Sequence, residues 1–470
     1  MKSVVIIGGG ITGLTALYEL HKQIEKTGAQ VSLALVEENP EAGGKLRTVR
    51  KEGFIMETGA DSIVARKKGV AGFLKELGLE NRIRHNATGI SYLYREDGLK
   101  PIPREAVFGI PASLDALFGS ELVSTKGKLT ALKDLFTKNH SFTKDSSAGE
   151  FLEAFFGKEL VEKQIAPVLS GVYSGNLYEL TLATTMPFLV DYKNRYGSIM
   201  KGLSEHKQTF LSPEKKKFVS FKNGLSELAD RLEEKAAGAD IIKGVKAVAL
   251  ERHEKGYTVV LSDGRRLKAD VVVLAVPHAA AKKLLANPAL DEEWDQFKAA
   301  SVITVYLGFD VPDAVLPKDG TGFIVSGGSG LVCNACTWTS RKWPHTSKNG
   351  RLLLRLFYKD ADAALFNRLN AMDQEGLIET ALKDVRQALG ISAQPVAAEV
   401  TKWLGKMPKY DLHHRQRVEA LTKKLSASDP NVVLAGCSYY GVGIADCIMN
   451  GKETAGKVME KLREQGSLNV

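Results

Sequence analysis

The chain has 470 residues, 44% hydrophobic and 25% charged, a composition that fits a soluble globular protein long enough for two or three domains. Its 64 basic against 55 acidic residues leave a net charge of +9, a modest surplus that suits an anionic substrate, an anionic surface or simple solubility. No basic cluster is interleaved with aromatics, so nucleic-acid binding is disfavoured, and the densest run, Lys215-Lys216-Lys217, reads as a solvated loop.

From the N-terminus, the β-branched run Val4-Val5-Ile6-Ile7 predicts a strand running into Gly8-Gly9-Gly10-Ile11-Thr12-Gly13, with a helix over 10–27. This is G-x-G-x-x-G in its strand–helix setting. Gly8 permits the tight turn, Gly10 lets the backbone approach a pyrophosphate, and Gly13 lets helix and sheet pack closely. The helix N-terminus offers unpaired N–H groups and a positive dipole end to phosphates. A second strand over 31–36 ends in Glu37, placed to accept hydrogen bonds from ribose hydroxyls. Gly43-Gly44 follows where the chain must pass close to a bound nucleotide, and Lys45 and Arg47 bring positive charge there. Residues 53–62 read as a short strand and a glycine turn, Gly59-Ala60-Asp61-Ser62. Arg66-Lys67-Lys68 opens a helical stretch with Phe73, Leu74 and Leu77 at helical spacing, closed by Gly78.

Residues 92–104 alternate and carry turn signals, which predicts a hairpin; residues 105–210 are mostly helical in pattern, with a loop over 138–147. A strand and turn over 218–224 and an amphipathic helix over 225–234 precede a three-strand meander at 245–250, 257–261 and 266–268. Residues 271–276 predict a fully buried strand, ended by Pro277 and too short to span a bilayer. The apolar N-terminus is accounted for by the glycine fingerprint and has no cleavage site behind it, so the expectation is a cytoplasmic protein without a transmembrane segment. Strands over 301–309 and 351–358 and a helix over 372–389 come next. Four cysteines make no disulfide framework; Cys333-Asn334-Ala335-Cys336 lacks a second ligand pair for zinc and an adjoining βαβ unit, and reads as reduced and structural. Near the C-terminus a strand over 432–436 leads to Gly441-Val442-Gly443-Ile444, a second glycine turn entering a helix and a second anion or carbonyl site.

The fingerprint, the acid ending the second strand, the Gly-Gly doublet followed by a basic residue and the Gly-x-Asp-Ser turn together resemble the flavin-dependent amine oxidase and protoporphyrinogen oxidase superfamily. The run from Pro167 to Pro187 is similar to the P-x-x-x-G-x-Y-x-G segment of porphyrinogen oxidases. Trp403 to Tyr410 matches W-x-x-x-x-P-x-Y, and Gly441 to Gly451 matches G-V-G-I-x-D-C-I-x-x-G through Asp446. The most specific likeness is to the coproporphyrin-forming coproporphyrinogen III oxidases of Gram-positive bacteria. Ala60 stands where a proline is common, and Ala42-Gly43-Gly44 lacks the arginine often found before the doublet.

The resemblance implies an α/β fold: a Rossmann-like FAD-binding domain built from residues 1–85, 213–295 and 401–470, a mixed-sheet substrate domain over 296–400, and a mainly helical part of the substrate domain over 86–212. It implies FAD held by Gly8, Gly9, Gly10, Ile11, Thr12, Gly13, Glu37, Glu38, Gly44, Lys45, Gly59, Ala60, Asp61, Ser62, Val245, Trp403, Val442, Gly443 and Ile444. No nucleophile–base pair, metal set or carboxylate dyad stands out, as expected where a flavin carries the chemistry. The implied activity is oxidation of coproporphyrinogen III by molecular oxygen in haem biosynthesis, with hydride transfer to flavin N5, release of hydrogen peroxide and hand-over of the porphyrin to the next enzyme of the pathway. Lys67 is expected to meet a substrate propionate, with Arg66 and Lys68 as alternates. Competing readings are a protoporphyrinogen IX oxidase, an amine oxidase or carotenoid-type desaturase, for which Cys437 would be the cysteine to examine, and a flavin-binding protein without turnover.

Overall fold

In the computed structural model, which describes residues 1–65, 67, 69–87, 90–173, 176–211, 218–317, 319–326 and 328–466, the β-branched run at the N-terminus forms the strand Lys2–Ile7 in the middle of a five-stranded parallel sheet. The solvated loop expected at Lys215-Lys216-Lys217, the alternates Arg66 and Lys68, and Ser174-Gly175 of the porphyrinogen-oxidase-like segment lie outside the described residues. Val31–Glu37 and Asp240–Lys243 extend the sheet on one side, Val271–Leu274 and Val432–Leu434 on the other. Ile6 is level with both Leu35 and Val273, so three strands end together at the Gly8 turn.

Both faces of this sheet are covered, which is why its strands read as continuous apolar runs rather than alternating ones. One face packs Val4, Ile6 and Val271 against Leu14 and Leu17 of the helix Ile11–Thr27 and against Ile448 and Val458 of the helix Ile444–Glu464. The two helices cross so closely that a Cβ on Gly451 would stand 2.6 Å from the Cβ of Thr15. The other face packs Val5, Ile7 and Val272 against the meander Ala247–His253, Gly256–Leu261, Arg266–Ala269 and the helix His414–Ser428. The chain is thus a mixed α/β protein with a Rossmann-like sheet at its centre, as expected.

A second sheet has seven strands, in the order Pro395–Lys409, Lys298–Pro312, Arg351–Lys359, Ala335–Trp338, Gly320–Val325, Ile90–Arg95, Gly98–Pro101. All neighbours are antiparallel except Gly320–Val325 with Ile90–Arg95, which makes the sheet mixed. Three of these strands, Gly320–Val325, Ala335–Trp338 and Pro395–Lys409, were not expected. The glycines of the first make room rather than a turn: a Cβ on Gly320 would lie 1.8 Å from the ring of Trp338. Trp403 lies in the edge strand, level with Val302, so the expected boundary between 400 and 401 falls inside one continuous strand.

Helices from Leu114–Phe118 to Lys207–Leu211 form a third layer around Phe151, Phe155, Phe156, Ile165, Leu182 and Leu189. Its one fully buried ion pair, among the described residues, is Lys193 with Asp134 at 2.9 Å. Every charge there is met: Lys193 also donates to the Asp134 and Gly197 carbonyls, and Asp134 accepts from Ser198 Oγ and the Ile199 and Met200 amides.

Candidate functional site

The glycine loop is built as the fingerprint requires. Gly8 has φ +106°, and a Cβ there would lie 2.5 Å from the Ala275 carbonyl. A Cβ on Gly13 would lie 2.0 Å from the Gly8 carbonyl, so this glycine lets the helix close onto the strand. Gly10 is different. It caps the helix with φ −68° and ψ 172°, which any residue adopts, and a Cβ there would meet nothing within 4 Å. Among the described residues no neighbour requires a glycine at this position, and the backbone there is left open to a group approaching from outside. Ile11 and Thr12 are buried in the first turn behind it.

Glu37 is buried, with Oε2 accepting from the Gly9 amide at 2.7 Å and Oε1 from the Asn39 amide at 2.9 Å. The acid therefore ties the end of its own strand to the glycine loop. The Val245 amide donates to the Glu37 carbonyl at 3.1 Å, which sets Val245 beside it. Glu38 points outward, toward Lys246 and Lys406. The doublet is drawn in by the Gly43 amide, which donates to the Gly9 carbonyl at 2.7 Å; Gly44, at φ +61°, would with a Cβ stand 3.1 Å from the Cα of Gly10. Lys45 donates to Cys437 Sγ at 3.0 Å. Residues from four separated parts of the chain thus line one path.

The path continues along the turn after the strand Phe54–Glu57. A Cβ on Gly59 would lie 1.9 Å from the Lys45 carbonyl, and the Ala60 amide donates to that carbonyl at 3.1 Å. Asp61 accepts from Ser62 Oγ and pairs with Lys342 at 2.7 Å. Burial opposes its charge, but Lys342 and Arg355 outweigh burial and hold the carboxyl well below the usual range. The Thr58 carbonyl accepts from Trp403 Nε1 at 2.8 Å and from Arg355 at 3.1 Å. Behind the turn, burial pushes the Glu57 carboxyl up to about 7, against hydrogen bonds from the Leu225 amide and the Thr48 hydroxyl.

The second glycine turn meets the same path. The Tyr410 hydroxyl donates to the Cys437 carbonyl at 2.8 Å and accepts from the Gly441 amide at 2.7 Å, pinning both ends of the turn. Gly443 caps the helix Ile444–Glu464, with Asp446 accepting from its amide; Val442 is exposed and Ile444 buried. Lys67 is half-exposed and pairs with this Asp446. The helix expected to open at Arg66 starts instead at Val70, behind Gly69 at φ +89°, which leaves Lys67 on a loop over the second turn. Cys333 and Cys336 are buried free thiols whose pKa burial raises. Among the described residues no group of three or more His, Cys, Asp or Glu side chains could hold a metal ion, and no helix is long and apolar enough to cross a membrane.

Arg355, Lys342 and Tyr410 were not singled out for the site from the sequence. Arg355 carried a signal: a lone charge within Leu352-Leu353-Leu354-Arg355-Leu356-Phe357, where burial demands a reason.

Two helix N-termini, glycines that leave no room for side chains and a buried acid at the end of the second strand thus stand together, as the fingerprint predicts. The comparisons agree. Residues 11–459 match the family of flavin containing amine oxidoreductases, and the chain belongs to that family. It is 35% identical to the coproporphyrinogen III oxidase of Bacillus subtilis, over 96% of each chain, and 32% identical to that of Staphylococcus aureus, over 98% of this chain and all of the relative. A crystal structure of a protein from Exiguobacterium sp. 255-15 superposes with a TM-score of 0.88 at 30% identity, covering 98% of this chain and 99% of that one. The protein is an oxidoreductase with a flavin cofactor.

Proposed function

We propose that this protein is an FAD-dependent, oxygen-using porphyrinogen oxidase that converts coproporphyrinogen III to coproporphyrin III. The observation that carries the cofactor part is Gly10, whose Cβ position is open although its backbone suits any residue. A pyrophosphate against the Ile11–Thr27 N-terminus accounts for it. Glu37 and Val245 would hold the adenosine end of FAD, Gly9, Gly44 and Lys45 its middle, and Gly59–Ser62, Trp403 and Val442–Ile444 the ring end. The separate cores of the three layers support the division into nucleotide, sheet and helical parts read from the sequence.

FAD held by these residues would supply the redox chemistry, two-electron oxidation at the meso carbons with molecular oxygen as the final acceptor, in which removal of six hydrogens would be balanced by three hydrogen peroxide molecules. The chain's own part is to bind and orient. The sheet face carrying Trp403, Thr304 and Phe357 holds the turn that aligns the ring, and Lys67 meets a propionate at the mouth. A tetra-anion suits a protein with surplus positive charge, and the relatives' activity supports this substrate. Protoporphyrinogen IX is the second reading, favoured by a relative of that activity from Bos taurus, 27% identical over 97% of this chain.

Oxygen uptake and product identity with the two porphyrinogens in parallel test the proposal. The expected result is a higher kcat/KM with coproporphyrinogen III and release of its porphyrin; an equal or higher value with protoporphyrinogen IX overturns the substrate assignment.

A further inference from the structure

Arg355 lies behind the turn that leads to Asp61. It stands at the centre of the strand Arg351–Lys359, and only 4% of its surface is exposed. One terminal nitrogen donates to the carbonyls of Thr58 and Gly59, at 3.1 and 2.8 Å. The guanidinium rests 4.5 Å from the ring centre of Phe357 and 5.3 Å from that of Tyr306. Its Nε has no hydrogen-bond partner, and among the described residues no carboxylate lies within ion-pair distance of it. The acids that feel its charge are Asp61, already engaged by Lys342, and Glu57, which burial pushes toward the neutral form. The pocket behind the turn thus holds two fixed cations, one fixed anion and one acid titrating near neutrality.

A guanidinium buried without its own counter-ion is costly. Bracing the turn does not require that cost, because the neutral indole of Trp403 already donates to the Thr58 carbonyl at 2.8 Å. A pre-placed buried cation does help where negative charge develops during turnover, since nothing needs to reorganise when the charge arrives. We propose that Arg355 is a positioning residue for the flavin: it clamps the Thr58–Gly59 turn onto the seven-stranded sheet, and its fixed charge raises the reduction potential of the ring held against that turn. The inference rests on the proposed function, in which the ring lies along Gly59–Ser62.

The test uses flavin-loaded wild type, Arg355→Gln and Arg355→Lys, and measures melting temperature, flavin dissociation constant and midpoint potential by equilibration with reference dyes. Both variants lose melting temperature, because the two-carbonyl clamp is imperfect in each. Only Arg355→Gln changes the potential: the reduced-to-oxidised ratio at fixed poise falls about tenfold, which is about 30 mV lower for a two-electron couple. An Arg355→Gln protein with lowered melting temperature and wild-type potential overturns the inference and leaves the residue a structural brace. Should Arg355→Gln not fold, Arg355→Met, which removes the charge but fills the apolar space between Phe357 and Tyr306, is compared with Arg355→Lys; equal potentials in the two overturn the inference. A wild-type protein that binds no flavin overturns the proposed function with it, whereas bound flavin with unmoved potentials overturns this inference alone.

Discussion

The contrast between Gly10 and Gly13 gives the sharpest test of the cofactor site. In the folded protein Gly10→Ala adds a methyl group with no neighbour within 4 Å, on a backbone that alanine adopts without strain. The apoprotein should therefore stay within about 1 kcal/mol of wild type, because the lost freedom of the unfolded chain and alanine's poorer helix capping act in opposite directions. Flavin binding should suffer, since the methyl group occupies the line along which the pyrophosphate reaches the helix N-terminus. Losing one hydrogen bond to a charged oxygen costs about 1.5–3 kcal/mol, or roughly 10- to 150-fold in dissociation constant. Gly13→Ala behaves in the opposite order. Its methyl group would lie 2.0 Å from the Gly8 carbonyl, so helix and strand must move apart, costing the apoprotein about 1–3 kcal/mol or more before any ligand is added. Denaturant unfolding of both apoproteins, followed by titration with FAD read by flavin fluorescence, measures the two effects separately. Wild-type FAD affinity in Gly10→Ala would refute the placement of the pyrophosphate. An apoprotein as destabilised as Gly13→Ala would refute the claim that nothing in the protein needs that glycine.

Glu37→Ala should weaken FAD by about 1–3 kcal/mol, because it removes the ribose acceptor and also frees the Gly9 amide that the carboxylate now holds at 2.7 Å; unchanged affinity in the same titration would place the ribose elsewhere. Glu57 titrates at about 7 in the folded protein against an ordinary 4.5, so between these values the folded state keeps a proton that the unfolded chain has released. Its contribution is therefore a loss of stability as pH rises through that window, about 3 kcal/mol in all. Asp61, shifted the other way, acts only at lower pH. Unfolding free energies at about pH 5 and pH 8 should show this loss in wild type and its absence in Glu57→Gln, and equal pH slopes would contradict it. Lys67→Ala should raise KM for the porphyrinogen more than it lowers kcat, with the difference shrinking in salt, because a propionate contact at the mouth is alike in ground and transition states; wild-type kinetics would remove Lys67 from the site.

The sequence alone determined the part of this protein built on the parallel sheet and its glycine loops. A strand buried on both faces has to be a continuous apolar run, a glycine whose Cβ would strike a carbonyl cannot be replaced, and an acid ending the second strand sits within reach of the first loop, so Val4–Ile7, Gly8–Gly13 and Glu37 were all legible locally. The C-terminal turn was legible for the same reason, because Gly441 and Gly443 directly precede their helix. What tertiary structure decided is whatever depends on pairing across long sequence separations. In the strand Gly320–Val325, Gly320 makes room for Trp338 and Gly322 for the Cys336 carbonyl, both on the neighbouring strand Ala335–Trp338, information that no short window contains. Trp403 reads as part of the C-terminal segment, yet its strand pairs with Lys298–Pro312 and its indole reaches Thr58, 345 residues away. Lys67 reads as a free cation beside the site, and only the fold brings Asp446 to it. Arg355 shows the difference most plainly: the sequence marks it as a charge inside an apolar strand, and only the packing of that strand against the Thr58–Gly59 turn shows what the charge faces.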